Sequence, residues 1–375
     1  MAKIYLDNSA TTRPSEAAIN ALKLAADTVW GNPSALHEGG IDAGRLLEAS
    51  RKSVAAVLRA DPSEVCFTGS GTLANNTAVF GAAAALKNRG RRIITTAVEH
   101  PSVSECMKRL ETEGFEVIRL SPDMYGRFSL EELESVIDGN TILVSVMAVN
   151  NELGTVNPVE KIKPVMKRRG SPGLLHCDCV QAFGKISLNP AKWGIDLLTA
   201  SAHKIHGVKG AGALYVRRGA KIRPYILGGG QESGIYSGTE AMPAIAAFGA
   251  ACGEIEINKA LENVRAMRDE FVKKLLCISG VTINSPADAL PYIVNFSAVG
   301  VPSQTMVNAL SEQGIYISAG SACKRGHRSE VITAVGLPAD RADSAVRVSL
   351  SRYTTPEELD ACAAAVADTV RRIRR

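Results

Sequence analysis

The sequence lacks any run near the ~18–20 consecutive apolar residues that a membrane-spanning helix requires. It also lacks an apolar signal core in its first residues, Met1-Ala2-Lys3-Ile4-Tyr5-Leu6-Asp7, so no secretory leader and a cytoplasmic location are expected. No C-x-x-C pair repeats among its eight cysteines, Cys66, Cys106, Cys177, Cys179, Cys252, Cys277, Cys323 and Cys362. In a reducing compartment these are separate thiols rather than a disulfide framework. There is no internal repeat and no low-complexity stretch. Charge of one sign is barely in excess: 43 basic against 38 acidic residues give +5. Four of those positive charges are Arg371, Arg372, Arg374 and Arg375, and without them the chain is nearly neutral. A broad basic stripe of the nucleic-acid-binding kind is therefore missing. The tail reads as a solvated helix end whose cations complement the helix dipole, with an RNA contact as the alternative.

What is present is ordinary globular material. With 375 residues, 46% hydrophobic and 22% charged, the chain has length for two domains, or three, at ~100–200 residues each. Short β-rich runs alternate with helical stretches. Residues 64–68, 92–97, 115–120, 141–147, 173–180, 196–202 and 213–216 read as strands. Helices are expected near 72–88 and 102–113, and another opens at Ser129 with capping-box spacing to Glu132. Thr141 to Met147 is a continuous apolar run, the pattern of a strand buried on both faces. A long helical region near 240–278 follows. A smaller α+β unit comes next, with strands at 292–296, 315–317 and 346–350 and helices near 302–313, 328–336 and 356–373. The expected class is α/β, with a mostly parallel sheet covered by helices. Ligands of such sheets sit at the carboxyl ends of the strands.

The strand ends carry polar residues. Lys204, in Ser201-Ala202-His203-Lys204, is either a surface turn lysine or a lysine placed to form a Schiff base with a carbonyl cofactor. Ser201 and His203 beside it suit a phosphate. In His176-Cys177-Asp178-Cys179-Val180-Gln181, strand geometry puts the two cysteines on one face and Asp178 on the other. That argues against a metal site; no metal is expected. A buried carboxylate needs a partner, and the pyridine nitrogen of pyridoxal 5'-phosphate (PLP) would be one. Gly69-Ser70-Gly71-Thr72 joins a strand to a helix, as a tight turn or as an anion site on the helix N-terminus. Glu99-His100 and Asn150-Asn151-Glu152 follow two further strands. Five strand ends thus bring polar chemistry to one edge.

At this point the sequence resembles a family. Tyr5 to Thr12, Gly31-Asn32-Pro33-Ser34, Glu99-His100, Val149 to Gly154 and Ser201 to Lys204 look like the cysteine desulfurases of the NifS/IscS-like kind. So do Ser237-Gly238-Thr239, Ser318 to Cys323 and Ser349 to Thr355. These enzymes form part of the class V aminotransferase branch of fold-type I PLP-dependent transferases. The resemblance covers nearly the whole chain, in order. It implies a large PLP-binding domain over 15–255 with a seven-stranded, mostly parallel sheet. It also implies a small α+β domain made of 1–14 with 256–375, carrying the catalytic cysteine loop.

The same resemblance implies roles. Lys204 would hold PLP as a Schiff base, Asp178 would pair with the ring nitrogen and Gln181 with the phenolic oxygen. His100 would stack on the ring and assist proton transfer. Gly71, Thr72, Ser201 and His203 would hold the phosphate, joined by Thr239 of the partner subunit of a homodimer. Asn150 would serve cofactor and substrate, and with Arg352 hold the substrate carboxylate. Cys323 would attack the sulfur of L-cysteine, become a persulfide as alanine leaves, and pass sulfur to an acceptor. That acceptor would be an iron–sulfur scaffold or a tRNA-thiolation enzyme. Lys324, Arg325, His327 and Arg328 follow Cys323, and nearby cations favour a thiolate. Leu73 stands where the family usually has Glu, and Tyr236 where members often have Arg. The rival readings are a selenocysteine lyase or other class V aminotransferase, and a non-catalytic sulfur-carrier scaffold. No direct nucleic-acid contact and no membrane partner are expected.

Overall fold

The computed structural model describes residues 3–320 and 328–373. In chain order its strands are β1 (Ile4–Tyr5), β2 (Val65–Thr68), β3 (Arg92–Thr96), β4 (Glu116–Leu120), β5 (Thr141–Met147) and β6 (Leu174–Asp178). They continue as β7 (Leu197–Ser201), β8 (Gly212–Val216), β9 (Val281–Ile283), β10 (Ile293–Ala298), β11 (Ile315–Tyr316) and β12 (Ala345–Ser349). Seven of them form the main sheet in the order β2-β8-β7-β6-β5-β3-β4. All neighbours are parallel except β8, which runs against both β7 and β2. The expected mostly parallel seven-stranded sheet is therefore present.

Period-two alternation of apolar side chains explains its two covered faces. Ile93, Leu143, Leu197 and Leu214 join one core, shared with Ala74, Ala78, Val103 and Met107 of the helices Gly71–Leu86 and Pro101–Thr112. Their strand neighbours Ile94, Val144, Leu198 and Ala213 join the core on the other face, with Leu47, Val54, Ile162 and Phe248. Each residue of β5 is buried, as its unbroken apolar run predicts. The helix Gly71–Leu86 is apolar on nearly all sides because it lies between the sheet and the next helix; its alanines favour the helix and allow close packing.

The chain's two ends meet. β1 pairs in parallel with β11, Ile4 opposite Ile315, and β10 lies between β9 and β12, antiparallel to both. The helical region expected at 240–278 is two helices, Met242–Gly253 and Ile257–Leu276. Helices Glu16–Asp27 and Glu38–Leu58 had no counterpart in the sequence reading. The Ser129 cap is present, but only half the box is. Ser129 Oγ accepts from Glu131 N and Glu132 N, whereas the Glu132 carboxylate turns to Ser121 N. Among the described residues no helix is long and apolar enough to cross a membrane.

Candidate active site

A cavity of about 550 Å³ opens at the carboxyl edge of the main sheet. Five strand ends line it: Ser70 to Thr72 after β2, Glu99 to Ser102 after β3, Asn151 and Glu152 after β5, Asp178, Val180 and Gln181 at β6, and Ser201, His203 and Lys204 at β7. Ser9, Ala10 and Arg347 close the opposite side. Of the predicted site residues, Lys204, His100, Gly71, Thr72, Asp178, Gln181, Ser201 and His203 are together here.

The floor is a hydrogen-bonded chain. Asp178, 5% exposed, accepts Val180 N at 2.9 Å and Asn75 Nδ2 at 2.7 Å. Asn75 Nδ2 also donates to Ser102 Oγ at 2.8 Å, and that hydroxyl meets His100 Nδ1 at 2.8 Å. Ser102 N donates to the same Nδ1, because His100 caps the helix Pro101–Thr112. Nδ1 is thus an acceptor, which leaves Nε2 to carry the proton of a neutral ring. Burial pushes the imidazole below its usual pKa, in keeping with that neutral form.

Lys204 Nζ donates to the carbonyls of Ser9 and Ala10. Burial, then the Arg347 charge, lower its amine to about 8, so a neutral, nucleophilic form is within reach near neutral pH. Gln181 Nε2 donates to Ser9 O at 2.9 Å. At the rim, Ser70 caps the helix Gly71–Leu86 through Leu73 N, and the first N–H groups of that helix face an anion-binding position. A Cβ at Gly71 would stand 3.0 Å from Val180 Cγ2 and 3.3 Å from Ser201 Cβ, so only glycine fits without displacement. Ser201 Oγ, Asn75 Oδ1, Ser9 Oγ and Glu99 Oε2 are buried with no partner among the described residues. Buried polar atoms are rarely left so, and all four belong to residues lining this cavity.

Three predicted residues are not brought here. Asn150 is fully buried in the turn after β5; its Oδ1 accepts Glu152 N and Leu153 N, and its Nδ2 meets Val98 O. Its side chain is spent on the turn, and Asn151 is the asparagine that lines the cavity. Arg352 lines a smaller cavity adjoining Lys204, its guanidinium 2.8 Å from both the carbonyl and the carboxylate of Glu254. Thr239 is exposed and away from the cavity lining of its own chain. Cys323 lies outside the described residues; Gly320 and Arg328, described on either side of that gap, both line the cavity.

Sequence reasoning missed Asn75, Ser102, Ser9 and Arg347. Arg347 had a signal: a charge between valines in β12. It is buried, bridges to Asp7 at 2.7 Å and donates to Asn151 O at 2.8 Å. Cys177 and Cys179 are fully buried with their sulfurs 3.5 Å apart, on the core side of the strand as the alternation predicts. Burial pushes the Cys106 and Cys362 thiols up to about 12, which makes them poor thiolates.

Residues 4–362 match the aminotransferase class-V family, and the chain belongs to that family. Within it, the chain is 41% identical to a cysteine desulfurase of Nostoc sp. over all of this chain and 94% of that one. A solved NifS-like protein superposes with a TM-score of 0.93 at 37% identity, covering 98% of this chain and 99% of its own. The structure of SspA in complex with cysteine superposes at 0.83 with 33% identity, over 94% and 100% of the two chains.

Proposed function

We propose that this chain is a PLP-dependent cysteine desulfurase: it takes sulfur from L-cysteine, releases L-alanine, and carries the sulfur as a persulfide on Cys323. The observation that carries the reading is a half-buried Lys204, its Nζ held by the carbonyls of Ser9 and Ala10, sharing one cavity with a buried Asp178. The relatives supply the substrate class, since one is named a cysteine desulfurase and a structural neighbour holds cysteine.

The cavity suits PLP. Ser201 Oγ, a hydroxyl without a partner among the described residues, lies beside a glycine-walled helix N-terminus, which is what a phosphate needs. Gly71, Thr72, Ser201 and His203 would hold that phosphate, with Thr239 of the partner subunit completing the clasp in a homodimer. Asp178 would hold the protonated ring nitrogen; Asn75 and Val180 N orient its carboxylate. Gln181 would meet the phenolic oxygen. Bound PLP supplies an aldehyde for the substrate amine and a ring that accepts the electron pair left at Cα.

The chain's own groups do the rest. Lys204 Nζ moves the proton at the substrate Cα. His100 Nε2 serves a second proton transfer, because Nδ1 is held by Ser102. The substrate carboxylate falls to Arg352, which must leave Glu254 to reach it, with Asn151 rather than Asn150 as neighbour. A guanidinium fork matches that planar group. The Cys323 thiolate attacks the substrate sulfur; the C–S bond breaks, its electron pair stays with carbon, and a proton completes alanine. The sulfur acceptor is an iron–sulfur scaffold or a tRNA-thiolation enzyme. The test is turnover of L-cysteine with a thiol reductant: sulfide and alanine appear in equal amounts, and Cys323→Ala makes no sulfide while staying yellow with PLP. Full sulfide output from that variant overturns the role of Cys323.

A further inference from the structure

A buried lysine lies behind the site. Lys185 closes the single helical turn after β6, where its N–H bonds Ala182 O at 3.0 Å. It is 6% exposed, and its Nζ lies 5.6 Å from the centre of the Tyr292 ring. Burying an amine without a carboxylate partner is costly. The charges that act on this one are the cations Lys204 and Arg347, and with burial they lower it to about 7. A position needed only for packing would be better filled by leucine or methionine.

Its hydrogen bond supplies the reason. Lys185 and Gln181 are four residues apart on one side of the turn, and Lys185 Nζ donates to Gln181 Oε1 at 3.1 Å. The other end of that amide, Nε2, donates to Ser9 O, the same carbonyl that takes Lys204 Nζ. A glutamine amide has two ends of similar shape and opposite hydrogen-bonding character, whereas an ammonium only donates. Facing Lys185, the amide must offer its oxygen, so its NH2 group is turned to the cavity side. Lys185 itself lines the smaller adjoining cavity, with His206, Glu256, Tyr292 and Arg352.

We infer that Lys185 is a positioning residue: by donating to Gln181 Oε1 it fixes the amide so that Nε2–H is presented to the phenolic oxygen of PLP. This rests on the PLP reading above. Without Lys185 the amide can turn its oxygen inward, and the phenolic oxygen loses a donor and becomes more basic.

The test follows the absorbance of PLP bound to the full chain against pH. In K185M the midpoint between the two absorbing forms rises by roughly 0.5–1 pH unit, the scale of one hydrogen bond to a charged oxygen. K185R, which also only donates, keeps the wild-type midpoint. Q181A shifts in the same direction, and adding K185M to Q181A moves the midpoint no further. K185Q, which keeps a polar side chain in case K185M folds poorly, gives a smaller shift of the same sign. A K185M midpoint equal to wild type overturns the proposal alone. So does a shift of equal size in the Q181A background, which marks a direct field effect of the lost charge. A wild-type chain that takes up no PLP overturns both this proposal and the reading it rests on.

Discussion

The two sides of the cavity are built by different logics. The floor comes from one stretch of chain, between Thr68 and Lys204, and its polar groups stand at the carboxyl ends of strands or in the first turns of the helices that follow them. Its groups bind one another, in the chain from Asp178 through Asn75 and Ser102 to His100. The opposite wall comes from the two ends of the sequence. Asn8 Nδ2 reaches Ser349 O at 2.9 Å across 341 residues, and Arg347 ties Asp7 to the backbone of Asn151. Floor residues turn polar side chains into the cavity, whereas Asn8 and Arg347 of the wall hold backbone carbonyls in place. Damage to the floor should therefore appear in the chemical step, and damage to the wall in binding and stability.

The largest separation is expected from a paired test of Asp178→Asn and Asp7→Asn. Asp178→Asn should lower kcat by about 10²-fold, the usual scale for one electrostatic partner in a preorganised site. It should cost little in KM. Asp7→Asn leaves Arg347 buried without its anion, which costs about 3 kcal/mol of folding stability, and should raise KM while kcat stays within a few-fold. Steady-state kinetics and urea unfolding of both variants read this directly. Equal kcat losses would erase the distinction between floor and wall.

A smaller effect sharpens it within the floor. Burial pushes the Glu99 carboxyl up to about 8, although Thr96 Oγ1 and Met147 N both donate to Oε1. A carboxyl raised in the folded state contributes stability that is full below its ordinary pKa near 4.5 and is lost as pH rises through about 8. Glu99→Gln removes that loss. The wild-type chain should lose stability relative to the variant between pH 5 and pH 8, by at most a few kcal/mol. Parallel slopes in denaturant unfolding across that window would show that Glu99 ionises normally.

The contrast also explains what could be read in the sequence. The mostly parallel sheet and the five strand ends that line the cavity were legible, because a strand followed by a polar turn is a local pattern. Lys204, Asp178 and His100 stood at such ends. Asn150 was misplaced by one residue because spacing cannot say which asparagine folds inward to tie its own turn. Arg352 was assigned to a carboxylate without sight of Glu254, which lies almost a hundred positions earlier. Ser9 carried no signal and Arg347 only that of a charge between valines, since their place at the cavity depends on the pairing of β1 with β11 and of β10 with β12. The helices Glu16–Asp27 and Glu38–Leu58 were overlooked although Ser15 and His37 cap them.

Of the eight cysteines, six are buried and Cys277 is exposed among the described residues, and none of these seven lines the cavity. All sulfur chemistry is therefore expected on Cys323. Mass spectrometry of the peptide carrying Cys323, after a single exposure of the PLP-loaded enzyme to L-cysteine without reductant, tests this most directly. The account predicts a gain of one sulfur atom on that peptide, reversed by a thiol, and absent from a Lys204→Ala chain. An unmodified Cys323 peptide, with the added sulfur on another cysteine or with alanine released and no persulfide formed, would contradict it.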